Sequence, residues 1–111
     1  MSKRIQRVNQ LIKKELSGVI AREMDIQAGT LVTITRVEAI PNLQEAKVYV
    51  SVVPDKETKS VLNFLRNSVF YFQRVLNQRF NMRPVPKIVF IEEGATREAA
   101  KVEELLEKIK H

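Results

Sequence analysis

Lys59, Arg66, Arg74, Arg79, Arg83 and Lys87 follow one another between Glu57 and Glu92 without a single carboxylate among them. Elsewhere the chain mixes both signs, so this one-signed stretch points to a polyanionic counter-surface, and phosphate is its natural chemistry. Four of the six cations are arginine. Arg66, Arg74, Arg79 and Arg83 can each offer phosphate a planar two-point fork, which lysine cannot. A second basic group, Lys3, Arg4 and Arg7, stands at the start of the chain. If those residues open a helix, the macrodipole makes each uncompensated cation unfavourable by about 0.3–1 kcal/mol. Bound phosphate would reverse that penalty, because a helix N-terminus with arginine is a good anion site.

Other chemistries are poorly provided for. There is no cysteine, and His111 is the only histidine. That excludes thiol nucleophiles, disulfides and thiolate metal sites, and leaves no internal nucleophile–histidine pair. There is no Walker loop and no Gly-x-Gly-x-x-Gly. The adjacent pairs Glu92–Glu93 and Glu103–Glu104 point apart on strand or helix and form no acid/base dyad. An enzyme is not expected, nor is any cofactor, metal or small-molecule substrate. No apolar run is long enough to cross a bilayer, so the expected location is the cytoplasm, with no membrane partner.

The elements that must position the cations follow from hydrophobic spacing. Over residues 3–23 the apolar positions Ile5, Val8, Leu11, Ile12, Leu16, Val19 and Ile20 predict one amphipathic helix, with Ser2 as N-cap. Residues 30–40 are rich in β-branched side chains, and 46–53 alternate Ala46, Val48, Val50 and Val52 against Lys47, Tyr49 and Ser51. Two antiparallel strands joined by a short turn at Pro41–Asn42 are predicted. Residues 57–79 carry Val61, Leu62, Leu65, Val69, Phe72 and Leu76 at helical intervals, with Phe80 just beyond. Asn67 and Ser68 compete for backbone hydrogen bonds in the middle and favour a bend there. At about 100° per residue, Arg66 and Arg74 are expected to share a broad face with Asn67 and Asn77. Pro84 and Pro86 end the helix, 87–91 form a short strand, and Val102, Leu105, Leu106 and Ile109 predict a last helix over 96–110. The tyrosines and phenylalanines are expected mostly in the core, and Arg36, Lys47 and Lys87 on the outer side of a sheet. One domain, of the α+β class, accounts for all 111 residues. Residues 1–91 hold fifteen cations and seven anions, a net of +8, while 92–111 hold four and six, a net of −2. The basic body, not the tail, is therefore the surface for nucleic acid.

Several segments in order carry a resemblance. Arg4-x-x-Arg7-Val8 is followed by Ile12 and Glu15–Leu16. After these come Thr33-Ile34-Thr35-Arg36-Val37, then Ala46-Lys47-Val48-Tyr49-Val50-Ser51-Val52, then Val85-Pro86-Lys87-Ile88-Val89-Phe90. In that order and at those separations the chain resembles the bacterial ribosome-binding factor A family over essentially its whole length. The resemblance implies a type II KH-like αββααβ core at about 3–92 with an additional C-terminal helix. It also implies a role on the immature small (30S) ribosomal subunit, in late maturation of the 16S rRNA precursor and in growth in the cold. The chain departs from the family at the helix bend, where the usual Ala-x-Gly is Ser68-Val69-Phe70, so the bend is expected either to rest on Asn67 and Ser68 or to be shallower. An arginine usual three residues later is Gln73, with Arg74 beside it. Lys87 replaces a glutamate, and Asn42 an aspartate.

The expected phosphate contacts are Lys3, Arg4, Arg7, Arg66, Arg74, Arg79 and Arg83, with Asn67, Ser68 and Phe70 at the bend. The expected partners are the small subunit, 16S rRNA and its precursor, bound by a protein that is monomeric when free. Gly18, Gly29 and Gly94 are not spaced as the Gly-x-x-Gly clamp of an ordinary KH module, so folded RNA is the expected target rather than a single strand read base by base. The rival expectation is a protein-interaction module without RNA contact, using a sheet edge or the acidic last helix.

Overall fold

The computed structural model describes residues 3–24 and 28–94. Ser2 and the helix expected over 96–110 lie outside the described residues. Helix α1 spans Lys3–Glu23 and buries Val8, Ile12, Leu16, Val19 and Ile20, a single stripe at three- and four-residue steps. Strands β1 (Leu31–Ala39) and β2 (Glu45–Val53) form an antiparallel hairpin. In the turn, the Ile40 N–H donates to Glu45 O at 2.9 Å and the Gln44 N–H to the Asn42 side chain at 3.0 Å. Leu43 adopts φ 59° there. The left-handed backbone costs about 1–2 kcal/mol for a residue with a Cβ. Burying the leucine side chain, 8 % exposed in the core, offsets it by about 1.5–3 kcal/mol.

The hairpin carries a bulge between Ile34, opposite Val50, and Arg36, opposite Tyr49. Strict alternation would put Ile34 and Arg36 on one face. The extra residue shifts the phase, so Ile34 and Val37 are both buried while Arg36 faces outward.

A short 3-10 turn at Asp55–Glu57 leads into α2 (Thr58–Asn67), and α3 (Val69–Arg79) follows at once. Ser68 between them has φ −99° and ψ 10°. Its N–H is shared between Phe64 O and Leu65 O, while its own carbonyl accepts from Tyr71 and Phe72. The backbone groups released by the break are thereby re-satisfied without glycine. β3 (Lys87–Glu92) pairs parallel with β2, giving the sheet order β1-β2-β3. Buried positions on β2 are confined to Ala46, Val48, Val50 and Val52, so all three helices pack on one face of the sheet. Phe72 of α3 meets Phe90 of β3 edge-on, ring centres 5.2 Å apart, at the middle of that core.

α1 runs antiparallel to α3. Glu23 near its end accepts a hydrogen bond from Tyr71, Glu15 reaches Arg79 at 3.7 Å, and Leu11 lies with Phe80, Asn81 and Met82. The first turn of α1, with Lys3, Arg4 and Arg7, therefore points to the end of the molecule where α3 finishes.

Candidate nucleic-acid interface

Positions 70, 73, 74 and 77 lie on one face of α3, separated by helical steps of three and four. With Gln78 and Arg83 they line an open groove of about 510 Å³ that contains no carboxylate. Arg83 is fixed by the fold. Its Nη1 donates to Phe80 O and Met82 O, both at 2.8 Å, and its Nη2 to Asn77 O at 3.0 Å. These are carbonyls at or just beyond the end of α3, where a cation is favoured. Three of its five N–H donors are spent, which leaves two to point outward. Arg74 makes no hydrogen bond or ion pair among the described residues. The groove thus joins one immobilised guanidinium to one available guanidinium, with amides between them.

Gln73 closes the inner wall. Its Nε2 donates to Pro86 O at 3.0 Å, and its Oε1 accepts from the Ile88 N–H at 3.1 Å. The backbone groups of residues 86, 88 and 90 point away from β2, because Lys87 N and Glu93 N are the groups that bond to that side, to Gln44 O and Val50 O. Arg66 completes the pattern, donating through Nε and Nη2 to Phe90 O at 3.3 and 3.0 Å. Two side chains from the helices therefore occupy hydrogen-bonding positions along the free edge of β3.

The remaining expected contacts are distributed. Arg66 lines a different groove from Arg74, together with Lys56, Lys59, Asp55 and Glu92. The shared face expected for the two does not form, because the break at Ser68 interrupts the helical phase that would have aligned them. Arg79 is exposed but sits 3.7 Å from Glu15 of α1, an ion pair that competes with phosphate for it. Lys3, Arg4 and Arg7 are exposed and have no hydrogen-bonding or ion-pair partner among the described residues. The structure thus brings Arg74 and Arg83 together, sets Lys3, Arg4 and Arg7 towards the same end, and separates Arg66.

The expectation that the aromatic residues lie mostly in the core is corrected at three positions. Phe70 is 85 % exposed, and Phe64 and Tyr71 are also exposed rather than in the core. Phe70 falls off the Val69/Phe72/Leu76 stripe, a signal present in the sequence. On the outer face of the sheet, Arg36 lies over the Tyr49 ring at 3.8 Å and pairs with both Glu93 and Glu38. The hydrogen bond to Glu93, aided by the charges of Glu38 and Glu93, raises its pKa further and neutralises it as a phosphate ligand. The Tyr71 hydroxyl donates to Glu23, which raises its pKa above the ordinary tyrosine value. The stabilisation is complete below the ordinary range near pH ~10 and is lost as pH rises through the raised value. An ultraviolet titration is expected to show one of the two tyrosines ionising late, and Glu23→Ala to return it to the ordinary range.

No group of three or more His, Cys, Asp or Glu among the described residues could hold a metal ion, and no described helix is long and apolar enough to cross a membrane. One-sided helix packing, the αββααβ order, and a central strand antiparallel to β1 and parallel to β3 define a small α+β domain of the type II KH-like class. The model of the family described as ribosome-binding factor A matches residues 4–106. The chain belongs to that family. Ribosome-binding factor A of Halothermothrix orenii is 33% identical over 108 residues, covering 96% of this chain and 88% of that protein. The Synechocystis protein of the same name is 34% identical over 111 residues, covering 97% and 84%. The fold matches the crystal structure of ribosome-binding factor A from Thermus thermophilus with a TM-score of 0.70 at 22% identity, over 82% of this chain and 97% of that one. A Thermus thermophilus homology model fitted into a cryo-EM map of a 30S complex matches with a TM-score of 0.64 at 23% identity, over 78% and 92%.

Proposed function

We propose that the protein binds the immature small ribosomal subunit and promotes late maturation of its 16S rRNA precursor in the cytoplasm. The observation that carries this reading is the carboxylate-free groove of Arg74 and Arg83, with the uncompensated cations of α1 towards the same end of the molecule, in a member of a ribosome-binding family. The Thermus thermophilus homologue fitted into a 30S map supports the choice of partner. Lys3, Arg4, Arg7, Arg74 and Arg83 take phosphates directly, with smaller contributions from Arg66 and the partly neutralised Arg79. Without a Gly-x-x-Gly clamp, sequence enters through the shape of the folded RNA.

The protein acts without turnover. It binds one rRNA conformation better than its competitors, raises the population of that conformation, and leaves when maturation removes it. Such help matters most in the cold, where wrong RNA pairings dissolve slowly. Co-sedimentation with mature and immature small subunits at two salt concentrations tests the reading. Binding through five to seven phosphates makes log K fall with log salt at a slope of roughly −4 to −6. A flat salt response, or equal affinity for mature and immature subunits, overturns it.

A further inference from the structure

We infer that Phe70 is a stacking platform for one unpaired base of the RNA, with Arg74 and Arg83 holding the adjoining phosphates. The inference rests on the RNA-binding reading above and names the kind of nucleotide its groove takes.

Phe70 is the least covered of the large apolar side chains on the described surface, at 85 % exposure. A ring left in water keeps in reserve about 1.5–3 kcal/mol of burial that a partner covering it could realise. The neighbourhood narrows the partner. Gln73, Arg74, Asn77, Gln78 and Arg83 line the same groove, with no further apolar side chain and no acid. The core of a protein–protein interface gathers apolar groups and sheds charge, which is the opposite composition. A nucleobase offers what this groove can use, a π face for the ring, polar edges for amides, and flanking phosphates for guanidinium groups.

The polar groups are partly available. Gln73 is committed to the β3 edge, and Arg83 to the end of α3 with two donors remaining. Arg74 and Gln78 have no hydrogen-bonding partner among the described residues. Arg74 stands one helical turn beyond Phe70 on the same face of α3 and lines the same groove. The break at Ser68 is also what presents the ring. Phe70 is the second residue of α3, at a corner of the surface that a continuous helix would lack. A corner residue can enter a loop or bulge and meet a base already out of its stack.

The test uses the full chain and immature small subunits in sedimentation binding, with Phe70→Ala, Phe70→Leu, Phe70→Trp and Arg74→Glu. Loss of one stacked base is worth about 1–3 kcal/mol, so Phe70→Ala is expected to weaken binding roughly 5- to 150-fold. The salt slope stays unchanged because no phosphate contact is lost. Phe70→Trp retains affinity, Phe70→Leu behaves like alanine, and ultraviolet crosslinking joins position 70 to an rRNA nucleotide. Wild-type affinity for Phe70→Leu, or a crosslink to a ribosomal protein, overturns stacking in favour of an apolar protein contact. If Phe70→Ala binds as wild type while Arg74→Glu fails, stacking falls and the RNA reading stands. If Arg74→Glu and added salt both leave binding intact, the RNA reading itself falls. Thermal melts of every variant confirm that exposed substitutions leave the fold in place.

Discussion

Phe72→Ala is expected to remove a large share of the stability of this domain. The ring is fully buried and packs edge-on against Phe90 where α3 meets the sheet. Truncating a buried phenylalanine costs about 3–5 kcal/mol, the transfer term plus the cavity left behind. Single domains hold only about 5–15 kcal/mol in total. With a urea dependence of about 1–3 kcal/mol per molar, the unfolding midpoint falls by roughly 2 M. Phe70→Ala, two residues away, is expected to shift stability by no more than about 0.5 kcal/mol, since its ring touches mainly water. A urea titration followed by circular dichroism reads both. Equal shifts for the two variants would show that the ring-to-ring contact is not what anchors α3.

The largest effect on binding is expected from reversing charge at Arg4, Arg7 and Arg74 together. These are exposed guanidinium groups free of carboxylate partners among the described residues, so nothing in the fold offsets them. Hydrogen bonds to charged groups contribute about 1.5–3 kcal/mol each, so the triple glutamate variant loses at least about a thousandfold in affinity. The salt slope shrinks by roughly 2–3 as the phosphate contacts disappear. The melting transition moves little. Arg79→Glu makes an instructive contrast. Glu15 already shares that charge at 3.7 Å, so less phosphate binding is lost, while the new acid faces Glu15 across the α1–α3 contact. Binding to immature subunits at fixed salt, with melting curves alongside, separates the two cases.

The fold was largely legible because its signals are local. The buried stripe of α1 and the alternation of β2 are written at periods of 3.6 and 2, and Pro84 and Pro86 forbid any helix between the end of α3 at Arg79 and β3. What was not legible depends on phase across a discontinuity. One bulged residue in β1 and one broken turn at Ser68 rotate everything beyond them, so Arg66 and Arg74 part company although their spacing suggests a common face. Partners distant in sequence were equally hidden. Nothing near Arg79 announces Glu15, and nothing near Gln73 announces the backbone of Pro86 and Ile88. At position 73 the structure shows an amide serving as both donor and acceptor. A guanidinium, which cannot accept, could not hold the Ile88 N–H.

The occupied rim of β3 limits how this molecule can be approached. Gln73 and Arg66 take up positions where an incoming extended segment would have to dock, so a visiting polypeptide finds no seam along which to add a fourth strand. Copies of the chain are by the same token denied a route to pair edge to edge through that side. Beside β3, the surface left for recognition is the helical one, where shape and charge can discriminate and where letting go requires no unzipping of backbone.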